Sequence, residues 1–152
     1  MAKSVCVAAR RVVSLIPPHT LQWTPIFQYN SYPAASNVKV AQTNDVGICV
    51  KSLSSLSFVL YKERSIYVAK AQAGADSAAF AIAEPLIVEG PAGIHAVVVA
   101  GQTHIYMTSS GRIGLFDGQS YVKWIADGLW FYLQGDIDPL FSYKICGVFD
   151  CR

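Results

Sequence analysis

The feature that most constrains the fold is a run of closely spaced turn signals in residues 95–125. "GQ" at 101–102, "SSG" at 109–111 and "DG" at 117–118 separate short segments rich in β-branched and aromatic residues. Glycine and aspartate tolerate the positive φ angles that tight turns between antiparallel strands require. We therefore expect no helix longer than about three turns in this region. The pattern predicts a meander of four strands, near 95–100, 103–108, 112–116 and 120–125.

A similar outline occurs earlier in the chain, in residues 47–83. Two apolar segments flank the charged tip "KER" at 62–64, the composition of a solvated hairpin loop, and "AAFAIAEPLIV" predicts a further strand ending near Pro85. A four-stranded meander cannot cover both of its faces, and such units stack radially in β-propellers, at a period of about 40–50 residues. The predicted fold class is therefore all-β, with antiparallel meanders resembling β-propeller blades in an incomplete propeller.

The remaining segments complete the predicted organisation of a chain that, at 152 residues, has the length of one domain. "VCVAARRVVSLI" at 5–16 fits a short helix or a strand, and the prolines of "PPHT" end it. We assign residues 1–20 to an N-terminal arm and residues 21–152 to a blade domain. Residues 24–37 form an irregular connection, and residues 126–150 are expected to start a third blade.

The alternation of side chains predicts the core. Ile105 and Met107 alternate with His104, Tyr106 and Thr108, so the two sets lie on opposite faces of one strand. We expect the aliphatic set to face the core. The residues predicted to be buried are Val97, Val99, Ile105, Met107, Leu115 and Phe58. Those predicted to be exposed or to contact a partner are Lys62, Glu63 and Arg64.

The composition is 53% hydrophobic and 14% charged, which is apolar for a soluble domain. It favours either an unusually well-buried sheet protein or a protein that buries its surface against partners. No membrane span is predicted, because each apolar stretch is interrupted before it reaches about 18 residues, as by Pro85, Glu89 and Pro91. Arg10 and Arg11 stand where a signal peptide would have its apolar core.

The formal net charge of +2 conceals an asymmetry along the chain. Residues 1–64 contain seven Lys or Arg and two acids, whereas residues 71–150 contain three Lys or Arg and eight acids. Such a split can steer one end towards nucleic acid, or it can let copies of the chain meet head to tail. Scattered solvated charge is the third interpretation. No basic cluster is dense enough to predict a nucleic-acid site.

The cysteines do not form a metal-ligand pattern. They lie at positions 6, 49, 146 and 151, and the four residues between the last two are too many for a zinc knuckle. Without a secretory signal, we expect reduced thiols.

The candidate catalytic groups are sparse. His104 with Ser109 or Ser110 and Asp117 resembles a hydrolytic triad, but one small meander supplies neither a strained nucleophile turn nor oxyanion donors. His95 and His104 flank one turn, and two imidazoles without a third ligand make a poor zinc site. A strand histidine that contacts its neighbours is the favoured interpretation of His104.

The remaining candidates also have structural interpretations. Asp136 and Asp138 have the spacing of cation ligands, but capping of a turn is favoured because other oxygen ligands are missing. Trp124, Trp130 and Phe131 can stack on bases or sugars, although packing between sheets or subunits is the commoner use. We therefore predict no catalytic, cofactor-binding or metal site, and we expect that the protein is not an enzyme.

The order of three segments is informative: "YPAASNVKV", then "GICVKSLSSLSFVLYKERSIYVAK", then "AGIHAVVVAGQTHIYMTSSGRIGLFDGQSYVKWI". Over about residues 30–150 this order resembles the β-propeller of tailed-bacteriophage tail nozzle, or tail-hub, proteins. The family's hairpin and blade motif falls on Ile66–Tyr67, Ile105–Tyr106, Gly111 and Phe116–Asp117–Gly118. Proteins of that family are several times longer and close a ring of blades.

The resemblance implies a structural virion protein of a phage tail, as a nozzle, hub or head–tail connector component that packs around a DNA channel. The implied partners are further copies, other tail or portal proteins, and double-stranded DNA only as transient cargo during ejection. The implied location is the virion tail, after assembly in the host cytoplasm. The alternative is a free-standing β-sheet module that binds a carbohydrate or a peptide through Trp and Tyr side chains.

Overall fold

The computed structural model describes residues 1–74, 76–136 and 138–148, and these residues form thirteen strands and one α-helix. The strands are β1 (Ser4–Ala8), β2 (Arg11–Ile16), β3 (Thr20–Trp23), β4 (Asn37–Lys39), β5 (Gly47–Ser54), β6 (Ser57–Lys62), β7 (Ser65–Ala71), β8 (Phe80–Ile82), β9 (Leu86–Ile87), β10 (Val97–Ala100), β11 (Thr103–Met107), β12 (Ile113–Phe116) and β13 (Lys123–Ile125). The helix α1 is Asp127–Asp136, and 3-10 helices span Asp76–Ala78 and Pro139–Lys144.

The strands form three antiparallel sheets, which confirms the predicted all-β class. Sheet 1 has the order β1-β2-β3-β4, and sheet 3 has the order β10-β11-β12-β13. Sheet 2 has the order β5-β6-β7-β8, and β9 also pairs with β7. Each sheet is thus built from strands that follow one another in the chain, most of them joined by short turns; residues 24–36 between β3 and β4 and residues 72–79 between β7 and β8 are longer connections.

Sheet 3 is the meander predicted from the turn signals. Its strands lie within the four predicted ranges, and its turns contain Gly101, Gly111 and Gly118 with φ angles of 63°, 86° and 86°. Residues with side chains rarely adopt these angles, so the glycines fix where each strand ends. Ile105 lies opposite Val98 on β10 and Leu115 on β12, which sets the register of the sheet.

Sheet 1 contains most of the predicted N-terminal arm. Residues 5–16 form two strands, joined at Ala9 and Arg10 with φ angles of 51° and 59°, which are values of a two-residue hairpin turn. Because β2 pairs with β3, which begins at Thr20, the domain boundary assigned after residue 20 falls within a sheet. The described residues therefore form three sheet units, one more than the two blade-sized units that the sequence indicated.

The expectation of a further blade after residue 125 is wrong. The described residues there form α1 and the 3-10 helix Pro139–Lys144, which Asp138 caps by accepting a hydrogen bond from the Leu140 amide at 2.9 Å. The apolar residues at 129–133 are consecutive rather than alternating, so they do not favour a strand. No helix among the described residues is long and apolar enough to cross a membrane.

Sheet 2 lies between the other two sheets and buries both of its faces. One face, with Phe58 and Leu60, belongs to a core cluster that includes Val13 and Leu15 of sheet 1. The opposite face, with Val59, belongs to a second cluster that includes Tyr106 and Phe116 of sheet 3. The first strands of the three sheets are adjacent, since β5 contacts both β1 and β10.

Part of the predicted core is on the wrong face of sheet 3. Phe58 and Val97 are buried as predicted, but Val99 is 41% exposed. Ile105, Met107 and Leu115 are only half-buried, because they point away from sheet 2. The face that packs on sheet 2 carries the alternate residues, which are His104 and Tyr106 of β11 with their partners Phe116 and Gly114 of β12.

The prediction that Lys62 is exposed is also wrong. The hairpin turn consists only of Glu63 and Arg64, which are exposed as predicted, and Lys62 is the fully buried last residue of β6. Its Nζ donates hydrogen bonds to Thr43 O at 2.8 Å and Thr43 Oγ1 at 2.9 Å, and it lies 3.2 Å from Asp45 Oδ1. A buried ammonium group is tolerated here because it is paired and hydrogen-bonded.

Candidate functional site

The outer face of sheet 3, which points away from sheet 2, is apolar and lacks a covering sheet in the described part of the chain. Its aliphatic side chains come from alternate positions of neighbouring strands and are all half-buried, and the exposed Lys123 lies on the same face opposite Leu115. The aliphatic side chains are those of Val98, Ile105, Met107, Ile113, Leu115 and Ile125. Aliphatic side chains in such an array are typical of a sheet that packs against another sheet.

A short C-terminal segment, residues 145–148, lies over part of this face. The Gly147 amide donates to His95 O at 3.0 Å, and a Cβ at Gly147 would lie 2.5 Å from a methyl group of Val98. A cavity of about 240 Å³ lies between the segment and the side chains of Val98, Ile105 and Met107. Val148 itself is 92% exposed, so the segment covers only one part of the face.

The outer face of sheet 1 is the second uncovered surface. Its apolar part, on β1 and β2, consists of Val5, Val7, Val12 and Ile16. Val5 and Val7 are 59% and 56% exposed, which is high for valines within a strand. Further from β1 the face becomes polar, and Tyr32 of the irregular connection hydrogen-bonds with Ser14 at 3.1 Å.

The two outer faces lie at ends of the chain that differ in charge. The first 44 residues contain Lys3, Arg10, Arg11 and Lys39 and no acid. Residues 101–150 contain five aspartates, against Arg112, Lys123 and Lys144. The end of the molecule that carries sheet 1 is therefore basic, whereas at the end that carries sheet 3 the aspartates whose side chains the structure describes, Asp117, Asp136 and Asp138, are balanced by Arg112, Lys123 and Lys144.

A groove of about 990 Å³ lies near the start of β1, β5 and β10. Its walls are mainly aliphatic and backbone, with residues 87–94 along one side and Ile48 and Tyr143 among the others. Its charged side chains are of both signs: Lys3, Arg64, Glu63 and Glu89.

Hydrogen bonds to Glu89 fix one rim of this groove. Its carboxylate accepts from the Ser110 amide at 3.1 Å and from Ser110 Oγ at 2.7 Å. Its backbone oxygen accepts from Tyr106 Oη at 3.1 Å. Burial, and then the Glu89 charge, raise the pKa of Tyr106, so this tyrosine stays a neutral donor. Gly90 lies directly against Lys62 O, so a side chain there would displace the rim.

The residues of the suggested triad are not brought together. His104 is fully buried; its Nδ1 lies 2.9 Å from Tyr61 Oη and its Nε2 lies 2.8 Å from Ser52 O. Burial lowers the pKa of His104, which favours the neutral ring that can donate to one partner and accept from the other. Ser110 instead contacts Glu89, and Asp117 accepts from the Gln119 amide at 3.1 Å.

Neither the histidine pair nor the aspartate pair forms a metal site in the described part of the chain. His104 lies opposite Val99 in the sheet, whereas His95 is exposed before β10 begins and lines the groove. Asp136 ends α1, and Asp138 caps the following 3-10 helix. Among the residues that the structure describes, no group of three His, Cys, Asp or Glu side chains is placed to hold a metal ion.

The aromatic and cysteine candidates are distributed between core and surface. Trp124 is half-buried, packs edge-on against Tyr106, and has the Arg112 guanidinium 4.0 Å from its ring centre. The side chains of Trp130 and Phe131 lie outside the described residues, as does Cys151. Cys49 is a buried thiol of β5, and burial raises its pKa to about 12, so it is not a nucleophile at neutral pH.

Sequence reasoning missed both outer faces. The outer face of sheet 1 was missed because residues 1–20 were assigned to an arm, although the alternation of Val5 and Val7 with Cys6 was a signal for a strand. The outer face of sheet 3 was identified as apolar but assigned to the core. An aliphatic array indicates burial, and it does not distinguish a sheet of the same chain from a sheet of a partner.

No protein-family model matches the chain, and no curated protein is similar to it at a significant level.

Proposed function

We propose that this protein is a structural component of a bacteriophage tail, in the nozzle, hub or head–tail connector, and that it acts by packing its outer sheet faces against other protein sheets. One observation carries the proposal: sheet 2 is covered on both faces, whereas no described sheet covers the outer faces of sheets 1 and 3, which carry aliphatic side chains on β1 and β2 and on β10 to β13. A stack that ends in two apolar faces has the form of a segment taken from a longer stack.

The arrangement of the sheets supports a propeller as the complete assembly. Three sheets of consecutive strands succeed one another, and their first strands are adjacent, as the innermost strands of neighbouring propeller blades are. The order of the hairpin and blade segments adds the resemblance to tail nozzle proteins. In this proposal the first strands surround the channel, and the DNA passes along it as transient cargo.

The mechanism is steric and interfacial rather than catalytic. A specific interface buries about 800 Å² of each partner, and aliphatic side chains such as Ile105 and Val7 provide its dry centre. Rigid packing between sheets keeps the channel open under load. The weak net charge of the chain avoids a tight electrostatic hold on the passing DNA.

The test is the location of the chain in particles released by cells that encode it. Virus particles purified on a density gradient are labelled with an antibody against the chain, viewed by electron microscopy, and analysed by mass spectrometry. Label at the tail, with peptides of the chain in the particles, is the expected result. Intact particles that lack the chain, or label only at the capsid, would overturn the proposal.

The groove favours a second candidate function, a binding module. Its walls are aliphatic and backbone with Tyr143 as one aromatic, which suits an extended peptide better than a sugar that needs stacking rings. Panning a random peptide library on the chain and on the Ile94→Asp variant tests this. Peptides enriched on the wild type and lost on the variant would support the module, whereas no enrichment would remove it.

A further inference from the structure

A polar side chain lies inside the apolar contact between sheets 2 and 3. His104 of β11 is fully buried, and its ring nitrogens contact Tyr61 of β6 and Ser52 of β5. Within the described residues, these are the hydrogen bonds that join the strands of sheet 3 directly to those of sheet 2. The packing of sheet 3 on sheet 2 therefore includes a ring that titrates near neutral pH when it is solvated.

Sheet 1 is joined to sheet 2 by hydroxyl and peptide groups, which do not titrate near neutral pH. Ser4 Oγ accepts from the Val50 amide at 3.2 Å and donates to the Val50 carbonyl oxygen at 3.3 Å. Ser52 Oγ donates to Val7 O at 2.6 Å. Mild acid can therefore act on the contact of sheet 3 without acting on these hydrogen bonds of sheet 1.

The hydrogen bonds of His104 fix the tautomer of its neutral ring. A carbonyl oxygen only accepts, so Nε2 carries the proton and donates to Ser52 O at 2.8 Å. Nδ1 then has a lone pair, and Tyr61 Oη donates to it at 2.9 Å. Burial raises the pKa of Tyr61, so its hydroxyl keeps the proton that this bond needs. Each nitrogen of the neutral ring thus has a suitable partner.

A second proton on the ring disrupts this arrangement. It binds to Nδ1, so Nδ1 and Tyr61 Oη face each other as two donors unless the tyrosine hydroxyl turns away. Tyr61 is fully buried, and its ring centre lies 5.5 Å from that of Tyr106 and 6.5 Å from that of Phe116. Aromatic rings are poor acceptors for the displaced hydroxyl. Protonation therefore costs a buried hydrogen bond in addition to the burial of a charge.

The charged groups around His104 do not offset this cost. Burial lowers the pKa of His104, the bond to Ser52 O opposes that effect, and the charge of Lys51 lowers the pKa further. Asp117 is exposed and accepts from the Gln119 amide. Glu89 accepts from Ser110. Burial raises the pKa of the other titratable groups of the contact, which therefore stay neutral: Tyr61, Tyr106 and Cys49.

We infer that the contact between sheets 2 and 3 is acid-sensitive, and that protonation of His104 separates sheet 3 from sheet 2 while sheets 1 and 2 stay packed. The inference does not depend on the proposed function. In the separated state the ring is solvated, and its pKa is about 6.5. Because the pKa of the buried ring is lower, the contact has its full strength above pH about 6.5 and weakens as the pH falls from there towards the pKa of the buried ring.

Amide hydrogen exchange of the wild type at pH about 7 and about 5 tests the inference, with each rate divided by the intrinsic rate at that pH. The protection of amides in β11 and β12 is expected to fall by up to about twentyfold at the lower pH, which is the limit for a solvated histidine with a pKa of about 6.5. Amides of β2 in sheet 1 are expected to change by less than about twofold.

His104→Gln is the decisive variant, because its side-chain amide can donate to Ser52 O and accept from Tyr61 Oη but does not titrate. The protection of β11 in this variant is expected to be the same at both pH values. His95→Gln is the matched control, since His95 is exposed and precedes β10, and it is expected to respond to pH like the wild type. Circular dichroism shows whether each variant folds.

A titration of the wild-type His104 ring, followed by NMR, provides the test if His104→Gln does not fold. The ring is expected to have a pKa below about 6.5 and to carry the proton of its neutral form on Nε2. A pKa at or above that value, or a response to pH that His104→Gln retains, would overturn the inference. Equal losses of protection in β2 and β11 would also overturn it, because they would show that the whole chain unfolds. None of these readouts involves a virus particle, so the inference and the proposed function can fail separately.

Discussion

At the scale of single residues, the most consequential finding is the buried ion pair of Lys62 and Asp45. Lys62 Nζ also donates to the Thr43 backbone and hydroxyl oxygens, so it fixes the loop before β5. We expect Lys62→Met to lower the free energy of unfolding by about 3–5 kcal/mol, because it leaves the carboxylate without its buried partner. Lys70→Met, on an exposed position of β7, is expected to change it by less than about 0.5 kcal/mol.

Urea unfolding of both variants measures this difference. Equal small effects would mean that Lys62 is solvated. Sequence reasoning assigned Lys62 to the hairpin tip because three charged residues follow one another there. The two-residue turn, which only the pairing of β6 with β7 defines, leaves Lys62 inside the strand.

Asp45 gives the stability a dependence on pH. Burial raises its pKa, but hydrogen bonds from Thr43, the Arg64 amide, Ser65 and Lys62 outweigh burial and lower the pKa from 3.8 to about 2. Because the folded-state pKa is depressed, its contribution is present above the unfolded pKa and is lost as the pH falls from about 4 towards 2.

We expect the wild type to lose about 1–2 kcal/mol more than Asp45→Asn between pH about 5 and about 2, after allowance for solvent screening. Urea unfolding of the two proteins at both pH values measures this. Parallel losses in both would show that Asp45 is not the group that titrates.

At the scale of elements, the alternation along β11 decides which residues stabilise sheet 3. Tyr106 is 1% exposed and packs on sheet 2, whereas Ile105 is half-buried on the outer face. We expect Tyr106→Ala to cost about 3–5 kcal/mol and Ile105→Ala about 1–2 kcal/mol in the isolated chain. Thermal or urea unfolding at low protein concentration measures both. A larger cost for Ile105→Ala would place the aliphatic set in the core, as the sequence predicted.

Turn chemistry explains why some elements were predictable. The strands of sheet 3 followed from its glycine turns, which require backbone angles that few other residues adopt. The face that each strand presents did not follow, because buried His104 and Tyr106 owe their place to hydrogen bonds with Tyr61, Ser52 and Glu89. These partners are distant in sequence, and a single strand does not reveal them. The hairpin of β1 and β2 was ambiguous for a related reason, since its turn at Ala9 and Arg10 contains no glycine.

At the scale of the whole molecule, the proposed function is based on the order in which the three sheets pack. Sheet 2 is covered on both faces by the other two sheets, whereas sheets 1 and 3 are each covered by sheet 2 on one face only. The composition, 53% hydrophobic with 14% charged residues, fits a protein whose outer faces are covered by partners. The sequence indicated this surplus of apolar side chains. That they lie on the outer faces of sheets 1 and 3 became visible only from the packing of all three sheets.

The most direct test of the central claim, that both outer faces are assembly surfaces, is a cryo-electron microscopy map of the assembled protein. The account predicts a protein sheet about 10 Å from the face of Leu115 and Ile125, beside the part that residues 145–148 cover, and another at the same distance from the face of Val5 and Val7. A map in which both faces remain open to solvent, while the contacts between chains lie elsewhere, would contradict it.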